Sequence, residues 1–384
     1  MKEIKLPRSK SLVIRYMILE FLYSDHIIDY QEDDAEDVKT VFNALQTIQR
    51  GIGSKNAPVI VDVKDCGAAY RFLMAVLSIT EGNWMLTGTE RLLQRPIEPL
   101  VYVLRRIGAS IEFAEQGWNI IGKSDITATS MVVDCTVSSQ FATALWLISQ
   151  KIGTPAIQTT PTHFSSESYL EITKQVWGTY FLDGVPIRIE ADWSAAIYWY
   201  AYVLLNPDTS LILNGLEHPS IQQDSIIATW FSEWGVETIQ TEEGIRIANR
   251  GIQEIPNQKI DLSNHLDLAP VLCSLATLYP FQLTITGISN LIYKESARGN
   301  YLVEILSQFT SMEYQLTETE REENYITIFR REKPLPQFIS FDSNNDHRMV
   351  MAFQLFATKS QIEIKNRDTI SKSYPHFFTD HQMI

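Results

Sequence analysis

The run Asn345-Asp346-His347-Arg348-Met349 leads into the apolar stretch Val350 to Ala357, which has the composition of a buried helix. Asn345 or Asp346 is a suitable N-cap, so His347 and Arg348 fall in the first helical turn. Helices ordinarily prefer Asp or Glu at that end, because a cation opposes the helix dipole. There are two ways to account for the arginine. It turns outward into water, or an anion sits against the helix N-terminus, held by free N–H groups and the guanidinium fork.

The pattern recurs along the chain. Ser9-Lys10-Ser11 with Arg15, Gly67 to Arg71, Gln94-Arg95-Pro96, Ser138-Ser139-Gln140, and Lys294-Glu295-Ser296 with Arg298 all stand at expected helix starts. Ser371-Lys372-Ser373 adds a cation near the C-terminus. Pro96 suits a first helical position, which puts Arg95 at the cap. At Gly67 the small residues let backbone N–H groups approach a ligand. Taken singly, each run reads as a plain cap or a solvated cation. Taken together at equivalent ends of repeated units, they predict a strongly cationic site for a ligand bearing several phosphates or carboxylates. Two carboxylates lie among these cations. Glu295 stands between Lys294 and Arg298, and Asp267 lies in the polar break Asn264-His265-Leu266-Asp267. They are either a salt-bridged Glu and a helix-capping Asp, or an acid/base pair tuned by neighbouring cations.

The elements that must carry these groups repeat. Strand Trp84 to Thr87 ends at Gly88, and a turn and helix close at Gly108 before a strand from Ser110 to Phe113. Strand Ser210 to Asn214 ends at Gly215, and a helix from Ile221 to Trp234 closes at Gly235 before a strand from Glu237 to Gln240. Leu283 to Thr286, Gly287, a helix near Ser296 to Phe309 and a strand near Glu313 to Leu316 form a further copy. The pairs Gly88/Gly108 and Gly215/Gly235 have the same separation. A repeated βαβ-like unit in two groups predicts two similar lobes, with a boundary near Gly215. Residues 1–7, Val59 to Val63 and the helices from Leu12, Asp33 and Gly67 precede the first copy.

Composition narrows the class. Apolar content of 45% and charge of 20% describe a globular chain, and its 384 residues allow two domains. A net charge of −14 argues against nucleic acid and anionic membrane as partners. The three cysteines, Cys66, Cys135 and Cys273, lack disulfide or zinc spacing and point to a reduced, cytoplasmic location. Arg15 interrupts the first apolar stretch and no small-residue cleavage site follows, so a signal peptide is not expected.

The runs LPRSKS with Arg15, CGAAYRF, LTGTERLLQRPIEPL, VSSQF, the segment Ser166 to Tyr169, YKESAR, NDHRM and SKSYP occur in order from Leu6 to Pro375. In this the chain resembles the 5-enolpyruvylshikimate-3-phosphate synthase family of enolpyruvyl transferases. The resemblance implies an α/β fold, a two-lobed inside-out α/β barrel with three βαβαββ repeats per lobe. One lobe would be 1–8 plus 216–384 and the other 9–215, closing over substrate. The implied reaction moves enolpyruvyl from phosphoenolpyruvate to the 5-hydroxyl of shikimate 3-phosphate and releases phosphate, by a monomer with no metal or organic cofactor. By position, Lys10, Ser11, Arg15, Ser138, Ser139, Gln140, Ser166, Tyr169, Asp267, Asn290 and Lys294 would hold shikimate 3-phosphate. Lys10, Gly67, Arg95, Gln140, Glu295, Arg298, Arg348 and Lys372 would hold phosphoenolpyruvate. Lys10 and Glu295 are assigned to proton delivery and Asp267 to the base. The alternatives are a non-catalytic descendant that binds a phosphorylated metabolite, and a sister transferase acting on another alcohol. This chain departs from the family in having Asp65-Cys66-Gly67-Ala68 for the usual Asn-Ala/Ser-Gly-Thr, and Gln223 for a Gly before Asp224. Asp65 is expected to repel phosphoenolpyruvate, unless it caps the helix at Gly67 or pairs with Lys10.

Overall fold

The computed structural model describes residues 2–24, 26–182, 187–251, 254–317 and 323–382. The chain divides into two compact units, Met1–Ser9 with Glu190–Ile384, and Lys10–Ile189. Each has its own hydrophobic core.

In the first unit, strand Lys2–Lys5 runs parallel to Ser210–Asn214, which pairs antiparallel with Gly244–Asn249, and that strand with Val236–Gln240. The same order is repeated by Gln258–Asp261, Leu283–Thr286, Tyr325–Ile328 and Met312–Gln315. Phe338–Asp342 and Gln361–Lys365 form a two-stranded parallel sheet. Strand burial alternates, as in Ser210–Asn214, because successive side chains point to opposite faces. The helices lie inside. Trp193–Leu205 and Ala269–Leu278 are apolar on nearly every face and almost wholly buried. Ala269–Leu278 packs against both Trp193–Leu205 and the helix His347–Gln354.

The second unit has the same strand order once, in Val59–Asp62, Gly82–Thr87, Gly117–Gly122 and Ser110–Ala114. Ser130–Asp134 and Ala156–Thr160 form a parallel pair. Helices Lys10–Tyr23, Gly67–Ile79 and Gln140–Ile148 fill its core.

The expected strands and glycine turns therefore stand, and Gly215 and Gly235 have left-handed φ of 80° and 99°. Three expectations change. The division falls between Ile189 and Glu190, not near 215, because Ser210–Asn214 pairs with the N-terminal strand and draws helix Trp193–Leu205 with it. Complete four-stranded sheets number three among the described residues, and two further sheets have two strands. After Gln361–Lys365 the chain turns into the 3-10 segment Arg367–Lys372 and helix Phe377–Gln382 instead of pairing again. The helix expected from Ile221 to Trp234 is split into a 3-10 turn, Gln223–Ile226, and a helix, Ile227–Glu233.

Candidate functional site

In the first unit, the chemistry-bearing residues converge around one arginine. Arg298 opens the helix Arg298–Leu306 and is fully buried. Its Nε donates to Asp346 Oδ2 at 2.7 Å, Nη1 to Asp267 Oδ1 at 2.8 Å, and Nη2 to Glu295 Oε2 at 2.5 Å. Asp346 caps the helix His347–Gln354, its Oδ1 accepting from the Arg348 N–H at 3.0 Å, while Oδ2 also accepts from the Ser296 hydroxyl at 2.9 Å. Arg348 reaches back to Asp267 Oδ2 at 2.9 Å, and Lys294 Nζ lies 3.3 Å from Asp267 Oδ1. Asp267 sits in the 3-10 turn Leu266–Leu268, ahead of the buried helix Ala269–Leu278.

This cluster pairs the cations Lys294, Arg298 and Arg348 with the carboxylates Asp267, Glu295 and Asp346. Within this cluster the cations are matched by carboxylates, so it carries no surplus of positive charge. Charges this buried must be paired and hydrogen-bonded. Burial works against the charge on Asp267, but Arg348, Lys294 and Arg298 outweigh it and hold the carboxyl well below its usual range. Burial lowers the Lys294 ammonium, with Asp267 opposing. For Arg298, burial is outweighed by Asp346, Glu295 and Asp267, so its charge is fixed more firmly than usual. Asn290 lies in the neighbouring 3-10 turn Ser289–Tyr293. Lys372 ends the segment Arg367–Lys372, which packs on the helix His347–Gln354.

The second unit gathers its own set. Lys10 begins the helix Lys10–Tyr23 and pairs with Asp37 at 2.9 Å. Arg15, one turn on, is buried and donates to Thr173 Oγ1 at 2.8 Å, to the Ser11 carbonyl at 2.7 Å and to the Tyr169 carbonyl at 2.9 Å. Burial pulls its pKa down to about 10. This ties Ser11, Arg15 and Tyr169 together. Ser166 precedes the helix Glu167–Tyr180 with φ of 62°, and its carbonyl accepts from Tyr169 N–H at 3.1 Å.

Arg71 links the remaining members. Its Nη1 donates to Gln140 Oε1 at 2.9 Å and to the Gly67 carbonyl at 3.3 Å, and its Nη2 to the Pro96 carbonyl at 3.1 Å. Gly67 lies close beneath the Arg95 side chain: an added methyl would fall 2.6 Å from an Nη of Arg95, and the guanidinium would have to shift. Ser138 Oγ accepts from Gln140 N–H at 3.3 Å, and the buried Ser139 precedes the helix Gln140–Ile148.

Two local expectations are corrected. Arg95 and Pro96 do not open a helix: the next one is Glu98–Arg106, capped at Ile97 with Pro99 in its first turn. Asp65 does not cap the helix Gly67–Ile79, since Cys66 does, its Sγ accepting from Ala69 N–H at 3.4 Å. Asp65 instead accepts from the Thr89 hydroxyl at 3.4 Å. The substrate-binding and catalytic residues assigned by resemblance do not include Asp37, Arg71 or Asp346. Arg71 had a signal in its helical spacing from Gly67, and Asp346 in its capping position. Asp37 lies in the first turn of the helix Glu36–Gly51, where an acidic residue is ordinary and gives no signal of a site.

Comparison with known proteins identifies the family. The family model of EPSP synthase (3-phosphoshikimate 1-carboxyvinyltransferase) matches residues 2–380. The 3-phosphoshikimate 1-carboxyvinyltransferase of Bacteroides fragilis is 30% identical over 402 aligned residues, covering 98% of this chain and 93% of that protein. The enzyme of that name from Pyrococcus abyssi is 26% identical with the same coverage. Among solved structures, EPSP synthase from Acinetobacter baumannii superposes with a TM-score of 0.70 at 19% identity, covering 99% of this chain and 95% of that one. At that identity the likeness speaks to the fold. The chain belongs to the EPSP synthase family.

Proposed function

We infer that the chain transfers the enolpyruvyl group of phosphoenolpyruvate to the 5-hydroxyl of shikimate 3-phosphate, releasing phosphate, and that the two clusters divide the work. The observation that carries this reading is the set of three cations around Asp267. Before substrates arrive, Arg348 and Lys294 are matched by a protein carboxylate. Substrate phosphate and carboxylate groups compete for those cations. As Arg348 and Lys294 turn to the ligands, Asp267 loses part of its compensation and its proton affinity rises. It then accepts the proton of the attacking hydroxyl, while buried Arg298 keeps it aligned. Glu295 and Lys10 deliver a proton to the enol methylene, which gives a tetrahedral adduct, and loss of a proton from the resulting methyl group as phosphate departs restores the double bond. Cations on the leaving phosphate stabilise the charge that develops there.

Shikimate 3-phosphate is assigned Lys10, Ser11, Arg15, Ser138, Ser139, Gln140, Ser166, Tyr169, Asp267, Asn290 and Lys294. Phosphoenolpyruvate is assigned Lys10, Gly67, Arg95, Gln140, Glu295, Arg298, Arg348 and Lys372. Arg298 and Arg15 already spend donors on protein acceptors, so their part in binding includes holding the groups around them. Each unit is read as three βαβαββ repeats, some reduced to a parallel strand pair. All the assigned groups come from one chain, so a monomer suffices. A cytoplasmic location is proposed with it, in keeping with three free, buried cysteines. Among the described residues no helix is long and apolar enough to cross a membrane. Phosphorus NMR of the two substrates with the protein tests the reading: inorganic phosphate and a new enolpyruvyl ether should appear together. Persistence of both substrates would refute it.

A further inference from the structure

Asp224 stands just after Gln223 in the 3-10 turn Gln223–Ile226, and the mechanism above makes no use of it. Its carboxylate is buried, at 5% exposure, with both oxygens engaged. Oδ2 accepts from the Ser194 hydroxyl at 2.5 Å, and Oδ1 pairs with Nδ1 of His265 at 3.1 Å. Ser194 is fixed in turn, its N–H donating at 2.8 Å to Asp192, the cap of the helix Trp193–Leu205. The His265 ring packs edge-on against Trp230 with centroids 5.5 Å apart. The His265 backbone closes a turn: its N–H donates to the Leu262 carbonyl and its carbonyl accepts from Leu268 N–H, both at 2.9 Å. Asp267 lies inside that turn. The His265 ring is thus the peg that fastens the turn carrying Asp267 to the helix Trp193–Leu205. The order of contacts excludes a nucleophilic triad, in which imidazole stands between serine and carboxylate. Here the carboxylate is central and the serine donates to it.

We propose that Asp224 is a positioning residue for the transfer reaction, fixing the turn 262–268 through His265 so that Asp267 meets the 5-hydroxyl. This rests on the reading of Asp267 as the base. A buried carboxylate is costly to keep unless its partners do something an apolar residue cannot. What these partners do is join one backbone turn, through His265, to the start of a buried helix, through Ser194, and a site for proton transfer is sensitive to displacements of an ångström or less.

Steady-state kinetics of Asp224→Ala and Asp224→Asn in the full chain test the proposal. Asn can still accept from His265 and donate to Ser194, so geometry survives without the charge. Asp224→Ala should lower kcat roughly tenfold or more with little change in either KM, and should shift the acid limb of the kcat–pH profile, while Asp224→Asn restores both. A kcat for Asp224→Ala close to wild type, or a loss that Asn does not rescue, would overturn it. If Asp224→Ala does not fold, His265→Ala is compared with His265→Asn, whose amide reproduces the Nδ1 donor. Rescue by Asn supports the proposal, and equal kcat in the two overturns it. An inactive wild-type chain would instead overturn the transferase reading beneath it, whereas an active wild type with indifferent variants removes only this inference.

Discussion

Asp267 carries its charge because Arg348, Lys294 and Arg298 face it, and this has a consequence for stability. Its folded pKa lies below the unfolded value of about 3.9. A carboxyl depressed in this way contributes stability that is fully present above its unfolded pKa. That contribution is lost as pH falls through the lower, folded value. Asp267→Asn should therefore be clearly less stable than wild type near neutrality, with three cations left short of a carboxylate. The gap should narrow as pH drops below about 4. Thermal unfolding of both proteins from pH 7 to pH 3 checks this, and a gap independent of pH would contradict it. At this scale the sequence showed which groups take part better than it showed how they are joined. Lys294, Glu295, Arg298 and Arg348 were all legible as charged groups at helix starts. That Arg298 is a buried counter-ion to Asp346, 48 residues away, was not, because no local pattern encodes a partner at that distance.

The helix His347–Gln354 shows why a cap can matter beyond its own helix. Asp346 accepts from Arg348 N–H, Ser296 Oγ and Arg298, so one side chain ties a helix start to the charged cluster. Asp346→Ala removes the cap and leaves a buried guanidinium short of an acceptor, a change worth about 3–5 kcal/mol. Asp346→Asn keeps the cap and should cost clearly less. Denaturant unfolding of the two variants decides it; equal losses would show that the cap, or the ion pair, contributes nothing separable. Strands and glycine turns were the most legible elements, since alternation and left-handed backbone leave local marks, as at Ser210–Asn214 and Gly215. The boundary was misread because it depends on Lys2–Lys5 pairing with that strand, a parallel contact across most of the chain that periodicity does not reveal. The cap at Cys66 was missed because thiols are weak acceptors and rarely chosen for that position.

The whole molecule consists of two units with separate cores, joined where the chain passes between Ser9 and Lys10 and between Ile189 and Glu190. Lys10, Arg15 and Arg95 belong to one unit, and Lys294, Arg348 and Lys372 to the other. The central claim, that this chain is a transferase acting on phosphoenolpyruvate and shikimate 3-phosphate, is reached most directly through Lys10. The decisive measurement is the rate of phosphate release from phosphoenolpyruvate by wild type and by Lys10→Met, each with and without shikimate 3-phosphate. Release should occur only with both substrates present and should fall by well over tenfold, about 1.4 kcal/mol of barrier, in the variant. Release that ignores shikimate 3-phosphate, or that survives the loss of Lys10, would contradict the account.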